Sequence, residues 1–232
     1  MKKKTVVVHS GGMDSSLCLA LATEQYGAEH VLALSFTYGQ RHSVEIDHAK
    51  SICKEWKVDH TTINLECLNE ITDNALLNSD IAIEHKRGKS PNTLVVGRNG
   101  LMARVAGIHA EHIGADSIFM GVIEVDEANS GYRDCSRKYM DIIQAGLRFD
   151  FNNHDFEIKT PVVYMTKKQT MDLGYQMGVL HYLVETTLSC YEGVEKEGCG
   201  KCPACKLRNT GLKEFIKDHP DFEFSYKNKI LS

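Results

Sequence analysis

The run TVVVHSGGMDSSLCLA, Thr5 to Ala20, constrains the fold more than any other stretch. Thr5–Val8 is short, rich in β-branched residues and apolar, the pattern of a strand buried on both faces. From Met13 to Tyr26 apolar residues recur at helical spacing, and Gly27 follows as a stop. A strand that passes so abruptly into a helix opens a parallel α/β sheet. Its loop then lies at the carboxyl edge, where such sheets bind ligands. Gly11 and Gly12 let the backbone turn sharply and bring N–H groups close to a ligand. Asp14, Ser15 and Ser16 fall in the first helical turn, so backbone N–H groups, helix dipole and hydroxyls converge on an anion site. Gly-Gly alone reads equally well as a simple tight turn. The order Ser-Gly-Gly-x-Asp-Ser directly after the first strand favours the anion site. Neither G-x-x-x-x-G-K-[ST] nor G-x-G-x-x-G occurs, so this is not a Walker A loop or a dinucleotide fingerprint.

The alternation continues. Strands are predicted at 30–38, 60–65, 117–122 and 156–163, and helices at 43–57, 99–113, 136–149 and 166–178, with Thr166 as an N-cap. Val44, Ile46, Ala49, Ile52, Cys53 and Trp56 share one face of the 43–57 helix. The expected fold is a doubly wound, mostly parallel sheet with helices on both faces. Residues 84–92 carry charge and turn formers and read as an exposed loop. After Leu188 the character changes, and cysteine and glycine become dense.

The chain has 232 residues, 42% of them hydrophobic and 25% charged, enough for a substantial core in one domain with a small appendage. No stretch approaches the roughly 20 apolar residues of a membrane span. The opening MKKKTVVVHSGG turns polar too early for a signal sequence. A cytoplasmic enzyme is expected, with reduced thiols. The net charge of -4 offers no basic surface for nucleic acid and favours a small substrate.

Four of the eight cysteines stand as C-x8-C-x2-C-x2-C at Cys190, Cys199, Cys202 and Cys205. Four thiolates suit tetrahedral Zn²⁺ and leave no open position, so zinc here would be structural, one ion per chain. An iron–sulfur cluster is the rival occupant. Cys18, Cys53 and Cys67 read as packing residues.

SGGMDSS resembles the pyrophosphate loop of the N-type ATP pyrophosphatases, and the whole chain is similar to one branch, the 7-cyano-7-deazaguanine synthases of the queuosine pathway. The matching stretches are SGGMDSS, YGQRH (38–42), GRNGLM (97–102), SGYRDCSRKY (130–139), TPVVYMTK (160–167) and TTLSCYEG…CGKCPACKLR (186–208), in order along nearly the whole chain. The resemblance implies an adenine nucleotide alpha hydrolase-like domain over residues 1–185 and a four-cysteine zinc module with the C-terminal segment over 186–232. It also implies conversion of 7-carboxy-7-deazaguanine, ammonia and ATP to the nitrile, with Mg²⁺, in a homodimer.

By the same resemblance Ser10, Gly11, Gly12, Met13, Asp14, Ser15 and Ser16 bind ATP or its Mg²⁺. Asp14 and Ser15, together with Arg98 and Lys167, are the catalytic candidates. Asp14 also reads as a helix stabiliser, and Lys167 as a solvent-exposed lysine at a helix start. Tyr38, Gln40, Arg41, Asn99, Asp126, Tyr132 and Asp134 are the substrate candidates. Arg41 would pair with phosphate or carboxylate, Asp126 and Asp134 would accept guanine-like N–H groups, and Tyr132 would stack on the base. The bland readings are a surface arginine, a helix cap at Asn99, solvated acids and a packing tyrosine. Cys135 reads as structural rather than nucleophilic, since no base stands beside it. EVDEANSGY is longer than the family's usual run, leaving Glu124, Asp126 and Glu127 as rivals for one acidic role. Ser16 stands where the family often has Thr. Two other functions compete: a tRNA-modifying relative, which predicts a basic surface, and a non-catalytic nucleotide sensor, which predicts binding without pyrophosphate release.

Overall fold

The apolar run Thr5–Val8 forms β1 and lies at the centre of a five-stranded parallel sheet of order β3-β2-β1-β4-β5. The computed structural model describes residues 2–38, 44–71, 95–124 and 132–231. Its further strands are β2 (Val31–Thr37), β3 (Asp59–Asn64), β4 (Ser117–Met120) and β5 (Glu157–Lys159). β1 pairs on one side with β2, Thr5 opposite Val31, and on the other with β4, Thr5 opposite Ser117. The strand order reverses at β1, and a crevice opens there at the carboxyl ends of β1 and β4.

The helices are α1 (Met13–Tyr26), α2 (Val44–Glu55), α3 (Cys67–Ile71), α4 (Arg98–Ile113), α5 (Arg137–Phe151), α6 (Lys167–Gln176), α7 (Leu180–Thr186), α8 (Pro203–Asp218) and α9 (Lys227–Leu231). One core joins Val7 of β1 to Leu17 and Leu19 of α1, Ile52 of α2, Met171 of α6, Leu183 of α7, Leu212 and Phe215 of α8 and Ile230 of α9. The other joins Val6, Leu34 and Ile118 to Ala103 and Ala106 of α4 and Met140 and Leu147 of α5. Each fully buried Leu, Ile or Phe contributes about 1.5–3 kcal/mol relative to exposure. Helices thus cover both faces of the sheet, as the periodicities require.

Three differences from the sequence reading have physical causes. The strand expected over 156–163 is cut to Glu157–Lys159. Pro161 has no N–H to donate, and the chain turns at once, Val163 N–H reaching Thr160 O and Met165 N–H reaching Val162 O. α7, α8 and α9 go beyond the sequence reading, in which cysteine spacing dominates the C-terminal part. α8 nevertheless carries a start signal, Cys202 as N-cap and Pro203 in the first turn. Cys67 is exposed and is not a packing residue, whereas Cys18 and Cys53 are buried. Thr166 caps α6 as expected, in a full capping box with Gln169. The 84–92 loop lies outside the described residues.

Candidate active site

The loop after β1 is built from its own side chains. Ser15 Oγ donates to Gly12 O at 3.0 Å and accepts Ser10 N–H at 3.1 Å, while Ser10 Oγ lies 3.1 Å from Ser15 Oγ. Ser16 Oγ donates to Gly12 O at 2.9 Å. That spends the one Ser16 hydroxyl proton, so at the 3.0 Å contact His9 Nε2 must donate to Ser16 Oγ. His9 Nδ1 is then the acceptor facing Cys53 Sγ at 3.5 Å. The fully buried ring stays neutral: burial, and secondarily His60, pull its pKa down to about 3. Burial pushes the Cys53 thiol up to about 12, which keeps it a donor.

Gly11 has φ +82°, and a Cβ there would lie 2.4 Å from Glu45 O. Only glycine allows the loop to nest against α2. Gly121, at the end of β4, is needed for the same reason, since a Cβ would stand 2.8 Å from Ser15 N. Gly12 caps α1 with its backbone alone, and the first N–H groups of the helix face the crevice.

Into this crevice Lys167 extends from the start of α6. Its Nζ lies 2.5 and 2.6 Å from the two carboxylate oxygens of Asp14. Lys167 is only 7% exposed, which overturns the reading of a solvent-exposed lysine. Opposite, Arg98 at the start of α4 donates to Tyr38 Oη at 3.3 Å, with its guanidinium 5.5 Å from the tyrosine ring centre. Burial opposes the Arg98 charge, but Tyr38, Tyr191, Asp134 and Cys135 more than offset it and hold the pKa above its usual value.

Asn99 is not the cap of α4, a place taken by Gly97. Its backbone N–H donates to Asp134 Oδ2 at 3.1 Å, and its Nδ2 donates to Cys135 Sγ at 3.3 Å. Asp134 is buried and serves the α4 N-terminus, while Asn99 and Cys135 line the crevice. Burial first and Asp134 second push the Cys135 thiol up to about 12, the setting of an inert thiol. Glu124 Oε2 accepts the Arg137 N–H at the head of α5, so that carboxylate is engaged. Gln40, Arg41, Asp126 and Glu127 lie outside the described residues.

Loop, Lys167, Arg98, Tyr38 and Asn99 surround one cavity of about 330 Å³. Among the further lining residues that the sequence reading missed are His9, Glu45, Gly121 and Tyr191. Glu45 carried a usable signal, standing just past YGQRH on the side of α2 that meets the loop. Burial raises its pKa to about 7 against the opposing pull of Arg98 and His48.

The far wall belongs to the cysteine segment, through Leu188, Ser189, Tyr191 and Arg208. Leu188 N–H donates to Gly11 O at 3.1 Å, tying that segment to the loop. The sulfurs of Cys190, Cys199, Cys202 and Cys205 all lie within 4.8 Å of one another, with 3.9 Å between Cys199 and Cys205. A tetrahedral Zn–S bond of ~2.3 Å needs sulfurs ~3.8 Å apart. The set therefore fits one ion, and it is too tight for a cubane, whose irons spread their thiolates further. Backbone N–H groups of Cys199, Cys202 and Cys205 point at Cys190, Cys199 and Cys202 sulfurs at 3.3–3.4 Å, the donors a thiolate site uses. Arg208 is almost fully buried beneath them and donates to Lys196 O at 2.6 Å and Glu197 O at 2.5 Å.

A parallel sheet of this order, with an anion-type loop at its switch point and a cysteine centre beside it, defines the class: an α/β protein with a ligand crevice at the carboxyl edge of its sheet. Comparison with known proteins narrows this. The family described as queuosine biosynthesis protein QueC matches residues 4–216. A 7-cyano-7-deazaguanine synthase of Clostridium botulinum (strain Loch Maree / Type A3) is 40% identical over 218 residues, 93% of this chain and 97% of that protein. One of Lysinibacillus sphaericus (strain C3-41) is 41% identical over 222 residues, 95% and 99% respectively. The chain belongs to the QueC family of C–N bond-forming ligases, whose curated relatives act in queuosine biosynthesis. Among solved structures, the U34-tRNA thiolase NcsA of Methanococcus maripaludis, which holds a [4Fe-4S] cluster, superposes with TM-score 0.50 at 15% identity, covering 98% of this chain and 69% of that one. NMN synthetase of Francisella tularensis gives 0.47 at 14%, covering 97% and 88%.

Proposed function

We propose that this enzyme converts 7-carboxy-7-deazaguanine and ammonia to 7-cyano-7-deazaguanine at the expense of ATP. The observation that carries the reading is the cavity. It joins a phosphate-type loop, the Lys167–Asp14 pair and the Arg98 cation in a space large enough for a nucleotide end and a small flat acid. In the first round the substrate carboxylate attacks the α-phosphorus and pyrophosphate leaves. Ammonia then displaces AMP and loses a proton, giving the amide. In the second round the amide oxygen attacks a second ATP. Pyrophosphate leaves again, and loss of AMP and both amide N–H protons gives the nitrile.

Ser10, Gly11, Gly12, Met13, Asp14, Ser15 and Ser16 hold the β- and γ-phosphates, stabilising charge on the leaving group. Lys167 keeps Asp14 aimed into the loop. Mg²⁺ accompanies the triphosphate, and Asp14 offers the oxygen ligands it takes. Arg98 faces the carboxylate undergoing adenylation. Tyr38, Gln40, Arg41, Asn99, Asp126 and Tyr132 contact the substrate, and Asp134 acts through the α4 N-terminus. Zinc occupies the four cysteines of the 186–232 module as a structural ion, and residues 1–185 form the catalytic domain. The enzyme acts as a cytoplasmic homodimer on small molecules, without nucleic acid or membrane. No described helix is long and apolar enough to cross a membrane.

The test mixes purified protein, ATP, Mg²⁺, ammonia and 7-carboxy-7-deazaguanine. Nitrile by mass spectrometry with two AMP released per nitrile is the expected result. Pyrophosphate release only with tRNA, or ATP binding without turnover, overturns the reading. Sedimentation of the same sample reports the dimer.

A further inference from the structure

Tyr191 is the residue after a metal ligand, yet it lines the catalytic cavity. Two independent contacts decide where its ring stands. Its backbone N–H donates to the sulfur of Cys202, so its main chain is keyed to the cysteine centre. At the other end its hydroxyl is hydrogen-bonded to Tyr132, which follows the β4 crossing. The segment that carries it is tied to the phosphate loop by the Leu188 N–H to Gly11 O bond, three residues upstream. The Arg98 guanidinium interacts electrostatically with the same hydroxyl. An aromatic ring, fixed at both ends beside a cation, suits a flat heteroaromatic acid: ring against ring, carboxylate toward Arg98.

We propose that Tyr191 is a specificity-determining contact for the deazapurine ring, so that the four-cysteine centre, structural in its own coordination, serves to place a substrate-binding side chain. This rests on the functional reading above. It makes the C-terminal module part of the substrate site and separates the contribution of the Tyr191 ring itself from ATP binding, which belongs to the loop at residues 10–16.

The test uses the full-length, zinc-loaded chain. Tyr191→Leu removes the ring and Tyr191→Phe keeps it while deleting the hydroxyl. KM for 7-carboxy-7-deazaguanine, KM for ATP, zinc content and direct calorimetric binding of the acid without ATP are measured for both. Tyr191→Leu is expected to raise the KM and Kd for the acid about tenfold or more, the scale of one lost base–aromatic contact. ATP KM and one zinc per chain should be retained, and Tyr191→Phe should recover most of the affinity. Unchanged affinity for the acid in Tyr191→Leu overturns the proposal while leaving the functional reading intact. So does an equal loss for ATP and acid, or zinc lost from the leucine variant, since either makes the residue a structural part of the module. A wild-type chain that neither binds nor converts the acid overturns the functional reading and this proposal together.

Discussion

At the scale of single residues, the Asp14–Lys167 pair is the most consequential contact. The partners are 153 positions apart, both in or near the cavity, with Lys167 almost fully buried. The sequence could nominate each one, since Asp14 stands in the SGGMDSS loop and Lys167 follows a helix cap. It could not show that they meet, because nothing local encodes a contact between α1 and α6. Asp14→Ala strips a buried ammonium of its partner, at a cost of about 3 kcal/mol, and removes the acid from the proposed phosphate site. Turnover should fall at least ~100-fold, with a lower melting temperature and a native circular dichroism spectrum. Unchanged turnover would show that the loop assignment is wrong.

The two perturbed titrations beside the loop act in opposite directions. His9 is neutral in the fold with a pKa of about 3, against 6.5 as its ordinary value. Below pH 6.5 the unfolded chain binds more protons, so stability is lost as pH falls from there toward 3. Glu45, raised from 4.5 to about 7, binds its proton more readily in the fold. Its favourable contribution is present below pH 4.5 and disappears as pH rises through 7. Glu45→Gln should therefore melt higher than the parent at pH 8 and alike at pH 4.5. His9→Phe should flatten the decline in the denaturation midpoint between pH 6.5 and 5. Equal midpoint shifts across all these pH values would contradict both assignments.

At the scale of elements, β1, α1 and the turn between them are legible in the sequence because each rests on local physics. An apolar β-branched run, helical periodicity and a glycine pair need no distant partner to be read. The reason Gly11 must be glycine is not legible, since the obstacle is Glu45 O of α2, thirty-four positions away in sequence. The short β5 reads too long because apolar residues continue past Pro161, where pairing stops. α8 is hidden because its helical spacing is overlaid on the metal-ligand spacing. A matched pair of substitutions tests the loop. Gly11→Ala combines φ +82° with a 2.4 Å clash against backbone, whereas Gly178→Ala has φ +71° and nothing within 4 Å. Gly178→Ala should cost only about 1–2 kcal/mol of backbone strain. Gly11→Ala should cost more and abolish ATP binding by calorimetry. Full ATP affinity in Gly11→Ala would mean that the loop does not hold the nucleotide in this conformation.

At the scale of the whole molecule, the cysteine centre and the proposed nucleotide loop share a wall of the cavity but rest on different hydrophobic clusters. The core under the sheet runs without interruption from β1 and α1 through α6 and α7 to Phe215 of α8 and Ile230 of α9. That apolar continuity holds the C-terminal helices to the sheet independently of any ion. The turns between Cys190 and Cys205 have no such support, being small, glycine-rich and only partly buried. Arg208 and the four sulfurs tie them together, joined by side-chain pairs of Glu195 with His48, Lys196 with Glu185 and Glu197 with Lys229. Stripping the metal with a chelator should then loosen this segment alone, since ion binding and local folding are one free energy there. Helix content should change little. The Leu188 N–H to Gly11 O bond and the Tyr191 position should be lost with the segment, weakening nucleotide as well as acid binding by about tenfold. Elemental analysis, circular dichroism and calorimetry on the stripped and reconstituted chain measure all three. Global unfolding on chelation would show that the ion supports the whole core. Undiminished ATP affinity would show that the shared wall carries no energetic link between centre and loop.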